Sequence, residues 1–168
     1  MHMSSIDFAS SLLRLALGGM IVLHGLNKMK SKQSLNGTGQ WFASIGMRHP
    51  QKQALLAAVT ETLSGLFILL GLFTPLACAA LISTMIVAIV VSHRKSGFFI
   101  FNEGQGWEYC GFISMAALAL ASMGSGKYSI DHALDIFNTG WFSLALCAAI
   151  AVAGSSLHLA LFYRPTSK

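Results

Sequence analysis

Two ionisable side chains stand where the surrounding sequence offers them no water. Glu61 lies near the centre of the apolar stretch Ala54–Phe73, and Arg14 interrupts another, Phe8–Leu26. A charge at membrane depth is costly; it faces a bundle interior, pairs with another polar group and marks a working site. Arg14 lies about 13 residues from one end of its span and Glu61 about 10 from the same end of the next, about one turn apart at 1.5 Å per residue. The spacing predicts a charge-assisted, bidentate pair between them. Such a pair either fixes helix register or handles protons and ligand head groups.

A second set gathers at span ends. His24 and Lys28 lie near the end of the first span, His93 closes the third, Glu108 and Tyr109 open the fourth, and His158 lies near the corresponding end of the fifth. Alternating spans would bring these groups to one mouth of the bundle. Histidine beside carboxylate and tyrosine suits proton movement near neutral pH, and the same donors can hydrogen-bond a quinone carbonyl. Arg14, Glu61, His24 and Glu108 are therefore the proton-handling candidates. His24, Lys28, His93 and Tyr109 are the candidates for holding a quinone or lipid head group. No metal is expected: the histidines sit on different spans without ligand spacing, and the eight methionines form no Met-x-x-Met series.

The elements that must position these groups are membrane helices. Of 168 residues, 54% are hydrophobic and 10% charged, against about 25% charged in a soluble domain. Five stretches of spanning length, about 17 to 25 residues, can be drawn over 7–26, 51–73, 75–92, 107–123 and 141–163. The predicted fold is all-α, a polytopic membrane helical bundle forming a single domain over 1–168. The first stretch reads as a retained helix rather than a signal peptide. Arg14 breaks its apolar run, and it has neither a basic n-region nor a small-residue cleavage site.

With five spans, one face collects Lys28, Lys30, Lys32, Arg48, Lys52, Arg94, Lys95, Arg164 and Lys168. The other carries Lys127 with Asp7, Asp131 and Asp135. Nine cations against one predict an outer N-terminus and a cytoplasmic C-terminus. This topology explains the net charge of +5 without a nucleic-acid partner. The Lys28–Lys32 cluster would also touch anionic lipid head groups.

Local signals fill in the connections. Gly18, Gly19 and Gly25 narrow one face of the first span. Small residues over Ala148–Ser156 do the same for the last, for packing within the chain or between copies. Trp41, Phe42 and Ile45 predict an interfacial helix near 38–47, and Pro50 opens the second span. Thr74 as cap and Pro75 at the first helical position predict a tight hairpin to the third span. Gly97, Gly104 and Gly106 around Phe98, Phe99 and Phe101 mark an aromatic loop at the interface or over the bundle mouth. Ser129 caps a second amphipathic helix near 129–137. There Ile130, Ala133, Leu134 and Phe137 share a face, Asp131, His132 and Asp135 face water, and Asn138 to Gly140 break the helix. Cys78, Cys110 and Cys147 read as small packing residues; a disulfide between Cys78 and Cys147 stays open.

The run Arg14-Leu15-Ala16-Leu17-Gly18, followed by His24-Gly25-Leu26-Asn27-Lys28, resembles the first helix of the DoxX family. Glu61 with Gly65, Leu70-Gly71-Leu72 and Thr74 is similar to its second helix. Gly97-Phe98-Phe99, Glu108-Tyr109 and the set Gly124, Gly126, Ser129 and Asp131 resemble its later signatures. The resemblance runs from Arg14 to Asp131. It implies a small integral protein of the bacterial cytoplasmic (inner) membrane with a four-helix core, to which Trp141–Tyr163 adds a fifth segment. It also implies a membrane subunit of a quinone-linked redox system, serving sulfur-compound oxidation or oxidative stress. No flavin, haem or iron–sulfur motif is present, so electrons would come from a soluble or membrane redox partner, in a homo-oligomer or hetero-complex. Whether the chain is itself catalytic stays open. Two alternatives stand beside this reading: a non-catalytic scaffold or chaperone that docks partner proteins, and a transporter of a small solute or lipid, which the lack of an inverted repeat disfavours.

Overall fold

Ser4 and Asp7 start the first helix by capping each other. The Ser4 hydroxyl accepts from the Asp7 N–H at 3.1 Å, and the Asp7 carboxylate accepts from the Ser4 N–H at 3.3 Å and its hydroxyl at 2.7 Å. The computed structural model describes residues 4–136 and 139–165. Phe137, Asn138 and Lys168, assigned above to an amphipathic helix, its break and the basic face, lie outside the described residues. The helices are α1 (Ser5–Met29), α2 (Lys32–Ser44), α3 (Pro50–Leu70), α4 (Thr74–Ala88), α5 (Glu108–Met123), α6 (Ile130–Ala133) and α7 (Gly140–Phe162). A π-helical turn, Ile89–His93, and a 3-10 turn, Arg94–Ser96, prolong α4.

Among the described residues, four apolar rods are long enough to cross a membrane: α1, α3, α7 and the continuous Thr74–Ser96. The 16 residues of α5 span about 24 Å, short of the roughly 30 Å hydrocarbon core. It nevertheless runs between the same two ends of the bundle. The protein is an all-α membrane helical bundle with α7 as its C-terminal apolar helix. One end carries Lys28, Arg48, Arg94 and Arg164, and is called the basic end below; the other is the far end.

Glycine sets the closest helix crossing. A Cβ on Gly18 would stand 2.7 Å from the Gly65 carbonyl oxygen, and one on Gly25 would stand 2.7 Å from that of Ala58. Only hydrogen fits there, so α1 and α3 approach backbone to backbone, as small residues permit in lipid. Gly19 does not share this face: its Cβ position has nothing within 4 Å. Gly18 and Gly25 are two turns apart on one side, whereas Gly19 is rotated by about 100°.

One stripe of small residues on α7 is used inside the chain, while Ala149, Ala153, Gly154 and Ser156 stay exposed. Ser143, Cys147, Ala151 and Ser155 are buried at every fourth position, on the side that packs against α4 and α5. The C-terminus is tied to the α2–α3 connection: the Arg48 N–H donates to the Phe162 carbonyl and the Arg164 N–H to that of Gly46, both at 2.8 Å. All three cysteines are buried and free.

Two short elements differ from expectation. α2 begins at Lys32 rather than near residue 38, because the Ser31 hydroxyl caps it by accepting from the Ser34 N–H at 3.0 Å. α6 has the expected Ser129 cap but ends after one turn, where Asp135 takes a left-handed φ of 55°.

Candidate functional site

Polar side chains collect at both ends of the bundle, and the two collections differ in kind. At the far end they bond to one another. Arg14, 5% exposed, donates through Nη2 to the Tyr128 carbonyl at 2.6 Å and to the Ser11 hydroxyl at 3.5 Å. Its Nε and Nη1 are buried without hydrogen-bond partners among the described residues. The acid whose charge reaches it is Asp131.

Glu61 is bonded elsewhere, to the Lys28 ammonium, in the ion pair found among the described residues. The predicted Arg14–Glu61 pair is absent. The helix register explains why. Gly71 abuts the Arg14 guanidinium, and Gly25 lies against Ala58 and Thr62. Arg14 therefore stands level with the end of α3, about ten residues beyond Glu61, or about 15 Å at 1.5 Å per residue. The expectation took the ends of the two spans as level. In the fold, α3 starts well below the end of α1, because its first turns pack on α2, with Gly39 against the Gln51 side chain.

Asp131 is likewise not the water-facing residue its helical periodicity suggested; it is 2% exposed. Its carboxylate accepts from the Phe73 N–H at 2.6 Å, the Thr74 N–H at 2.9 Å, the Thr74 hydroxyl at 2.7 Å and the Ser125 hydroxyl at 3.4 Å. Thr74, expected to cap α4, is its first residue. The residue before it, Phe73, has a left-handed φ of 46° and an apolar side chain. The free N–H groups at the helix start are thus met by an acid 57 residues away in sequence, with the charge sign the helix dipole favours. Three more bonds clamp the same loop: Ser10 hydroxyl to Gly124 carbonyl at 2.7 Å, Lys127 N–H to Asp7 carboxylate at 2.9 Å, and Asp131 N–H to Gly71 carbonyl at 2.8 Å. The far end is a clasp that holds Gly124–Asp131 across α1, α3 and α4.

The basic end is open instead. A cavity of about 560 Å³ is lined by His24, Lys28, Glu61, His93, Tyr109 and His158, with Gln53, Cys110 and aliphatic groups such as Leu56, Val87 and Ile150 between them. The Tyr109 hydroxyl lies 3.2 Å from His24 Nε2 and 2.9 Å from Met20 Sδ. His93 enters from the π-helical turn, a feature often found at working sites, and its Nδ1 lies 2.7 Å from the Gln105 carbonyl. Glu61 is 6% exposed and its partner Lys28 is half-buried. Among the described residues no group of three or more His, Cys, Asp or Glu side chains is gathered closely enough to hold a metal ion.

Five of the seven candidate residues, His24, Lys28, Glu61, His93 and Tyr109, thus line one cavity. Glu108 lies beside it, facing an adjoining groove, where its Oε2 accepts from the Ile100 N–H at 3.1 Å. This bond fixes the aromatic loop, which folds over the cavity through Ile100, Gln105 and Gly106. Arg14 belongs to the opposite end. Sequence reasoning missed Gln53, which is 4% exposed and whose side-chain oxygen has no hydrogen-bond partner among the described residues. Nothing in its surroundings sets it apart from the polar start of a span. It also missed the role of Asp131. The clue there was a tight Leu-Phe-Thr-Pro connection, in which the residue before Thr74 has no side-chain acceptor.

A membrane bundle clasped at one end, with a polar-lined cavity at the other, defines a small integral membrane protein. The DoxX family profile matches residues 9–94, and the chain belongs to that family. A protein of Bacillus subtilis (strain 168) named "Putative oxidoreductase CatD" is 30% identical over 127 residues, 76% of this chain and 87% of that protein. "Inner membrane protein YphA" of Escherichia coli (strain K12) is 30% identical over 125 residues, 71% of this chain and 85% of its own length. No solved structure matches the chain at a significant level. Family, apolar helices and relatives support a location in a bacterial inner membrane.

Proposed function

We propose that the cavity at the basic end binds the head group of a quinone-type electron carrier and that the protein is a membrane subunit of a redox system. The observation that carries this reading is the meeting of His24, Lys28, Glu61, His93 and Tyr109 around one cavity with otherwise apolar walls. A small-molecule site commonly has this composition, mostly apolar with a few convergent polar groups. The donors fit the ligand. Lys28, Tyr109 and His24 would donate hydrogen bonds to ring oxygens. The unpartnered oxygen of Gln53 would accept from the hydroxyl of the reduced form. Glu61, held at the wall by Lys28, would take or release a proton at its carboxylate. A quinone, when bound, would supply two-electron chemistry coupled to protons, and a partner would supply or remove the electrons. The relative named as an oxidoreductase agrees with this class of role. The excess of cations at the basic end supports a cytoplasmic side for the cavity.

The docking alternative drew on the small residues of α7: Ala151 and Ser155 are buried against the chain's own helices, whereas Ala149, Ala153, Gly154 and Ser156 are exposed. The test is direct. Purified protein in lipid nanodiscs is titrated with menadione, a quinone without a tail. Saturable binding is expected, with Kd raised about threefold to tenfold by Glu61→Gln and by Tyr109→Phe, the effect of one hydrogen bond. Absence of saturable binding, or two variants with the parent's Kd, would end the reading.

A further inference from the structure

Beside the cavity runs a second hollow of about 850 Å³ between α4, α5 and α7, with Ile86, Phe112, Met115, Leu118 and Val152 among its walls. Two of its polar side chains are engaged. The Ser114 hydroxyl donates to the Cys110 carbonyl at 2.8 Å, and the Glu108 carboxylate is held by the Ile100 N–H. What remains is a surface that is mostly hydrocarbon, with Trp107 and Glu108 confined to its end near the aromatic loop. Phe112 and Met115 are 73% and 67% exposed, so the groove opens sideways, toward the surface that faces lipid. It also adjoins the polar cavity: Ile100 and Tyr109 line both.

We infer that the groove holds the isoprenoid tail of the molecule whose head group occupies the cavity, making the ligand a long-chain prenylated quinone rather than a short or water-soluble one. The inference rests on the cavity reading above. Tyr109 stands at the junction, its hydroxyl facing His24 in the cavity and its ring bordering the groove. The loop residue Ile100, held by Glu108, closes the same junction from the basic end. A head group would then enter from the bilayer between α5 and α7, past Tyr109 and Ile100, without crossing the charged end of the bundle. A tail leaving lipid for this groove moves between two hydrocarbon surroundings, so its gain comes from packing rather than from the hydrophobic effect, and a moderate preference is expected.

The test compares menadione with its tetraprenylated counterpart in the same detergent micelle, on the full chain. The parent should bind the tetraprenyl quinone about tenfold more tightly. Ala148→Phe and Ser114→Leu fill the groove from opposite walls, each from a half-buried position. Each should remove most of that preference while leaving the menadione Kd unchanged, which also shows that the variant is folded. If menadione binds and both variants keep the full preference, the groove assignment falls and the cavity reading stands. A phospholipid that copurifies with the parent and is lost from both variants, with the preference kept, likewise overturns it by giving the groove to a bilayer lipid. Failure of menadione to bind the parent overturns both readings.

Discussion

Replacing Asp131 by alanine tests whether one buried carboxylate organises the far end. The substitution removes the acceptor of three short bonds, from the Phe73 N–H, the Thr74 N–H and the Thr74 hydroxyl, at 2.6, 2.9 and 2.7 Å. A hydrogen bond to a charged group is worth about 1.5–3 kcal/mol, and a buried donor left without a partner carries its full desolvation cost. The three share one acceptor and do not add, so a loss of about 4 kcal/mol is expected, at the upper end for a point mutation. Arg14 adds to the cost, because Asp131 is the acid whose charge reaches it. For a chain of this size 1 kcal/mol corresponds to about 2–4 °C in Tm, so purified Asp131→Ala should melt about 10 °C below the parent in the same detergent. Amide exchange should rise at Phe73 and Thr74 and along the loop Gly124–Asp131, and much less at α2. Asp131→Asn keeps one acceptor oxygen and should fall between the two. A melting point within 2 °C of the parent, with exchange at Thr74 unchanged, would refute the assignment of Asp131 as the cap of α4.

Three further outcomes follow from the same geometry. Glu61→Leu leaves the Lys28 ammonium unpaired at the cavity wall and should cost about 2 kcal/mol. Lys28→Met with Glu61→Leu should cost less than the sum of the single changes, and thermal melting of all three proteins checks this. Arg14→Leu and Glu61→Leu should instead add within about 0.5 kcal/mol, because these residues share no partner; strong coupling in that cycle would bring back the pair the structure separates. Gly25→Leu should abolish stable expression or lower Tm by more than 10 °C, an overpacking effect of about 3 kcal/mol or more, while Gly19→Leu, facing open space, should match the parent in yield and Tm.

Much of this protein follows from local sequence. Apolar runs interrupted by Gly-Ser-Gly, Thr-Pro and basic clusters define the helices within a few residues, since lipid requires each backbone group to be satisfied inside its own helix. The alternation of spans already gathers His24, Lys28, His93 and Tyr109 at one end, because direction along each helix fixes which end a residue occupies. The partners of the buried charges were decided only by tertiary packing. Arg14 meets Tyr128 and the neighbourhood of Asp131 rather than Glu61, since glycine contacts between α1 and α3, with α2 beneath them, slide the two helices about two turns from the assumed register. Asp131 reads in sequence as a wet residue on a surface helix, but the fold turns it inward because α4 begins without a capping side chain. Helix length and direction are properties of a segment; axial offset and the identity of a cap across 57 residues are properties of a contact, and no single segment contains them.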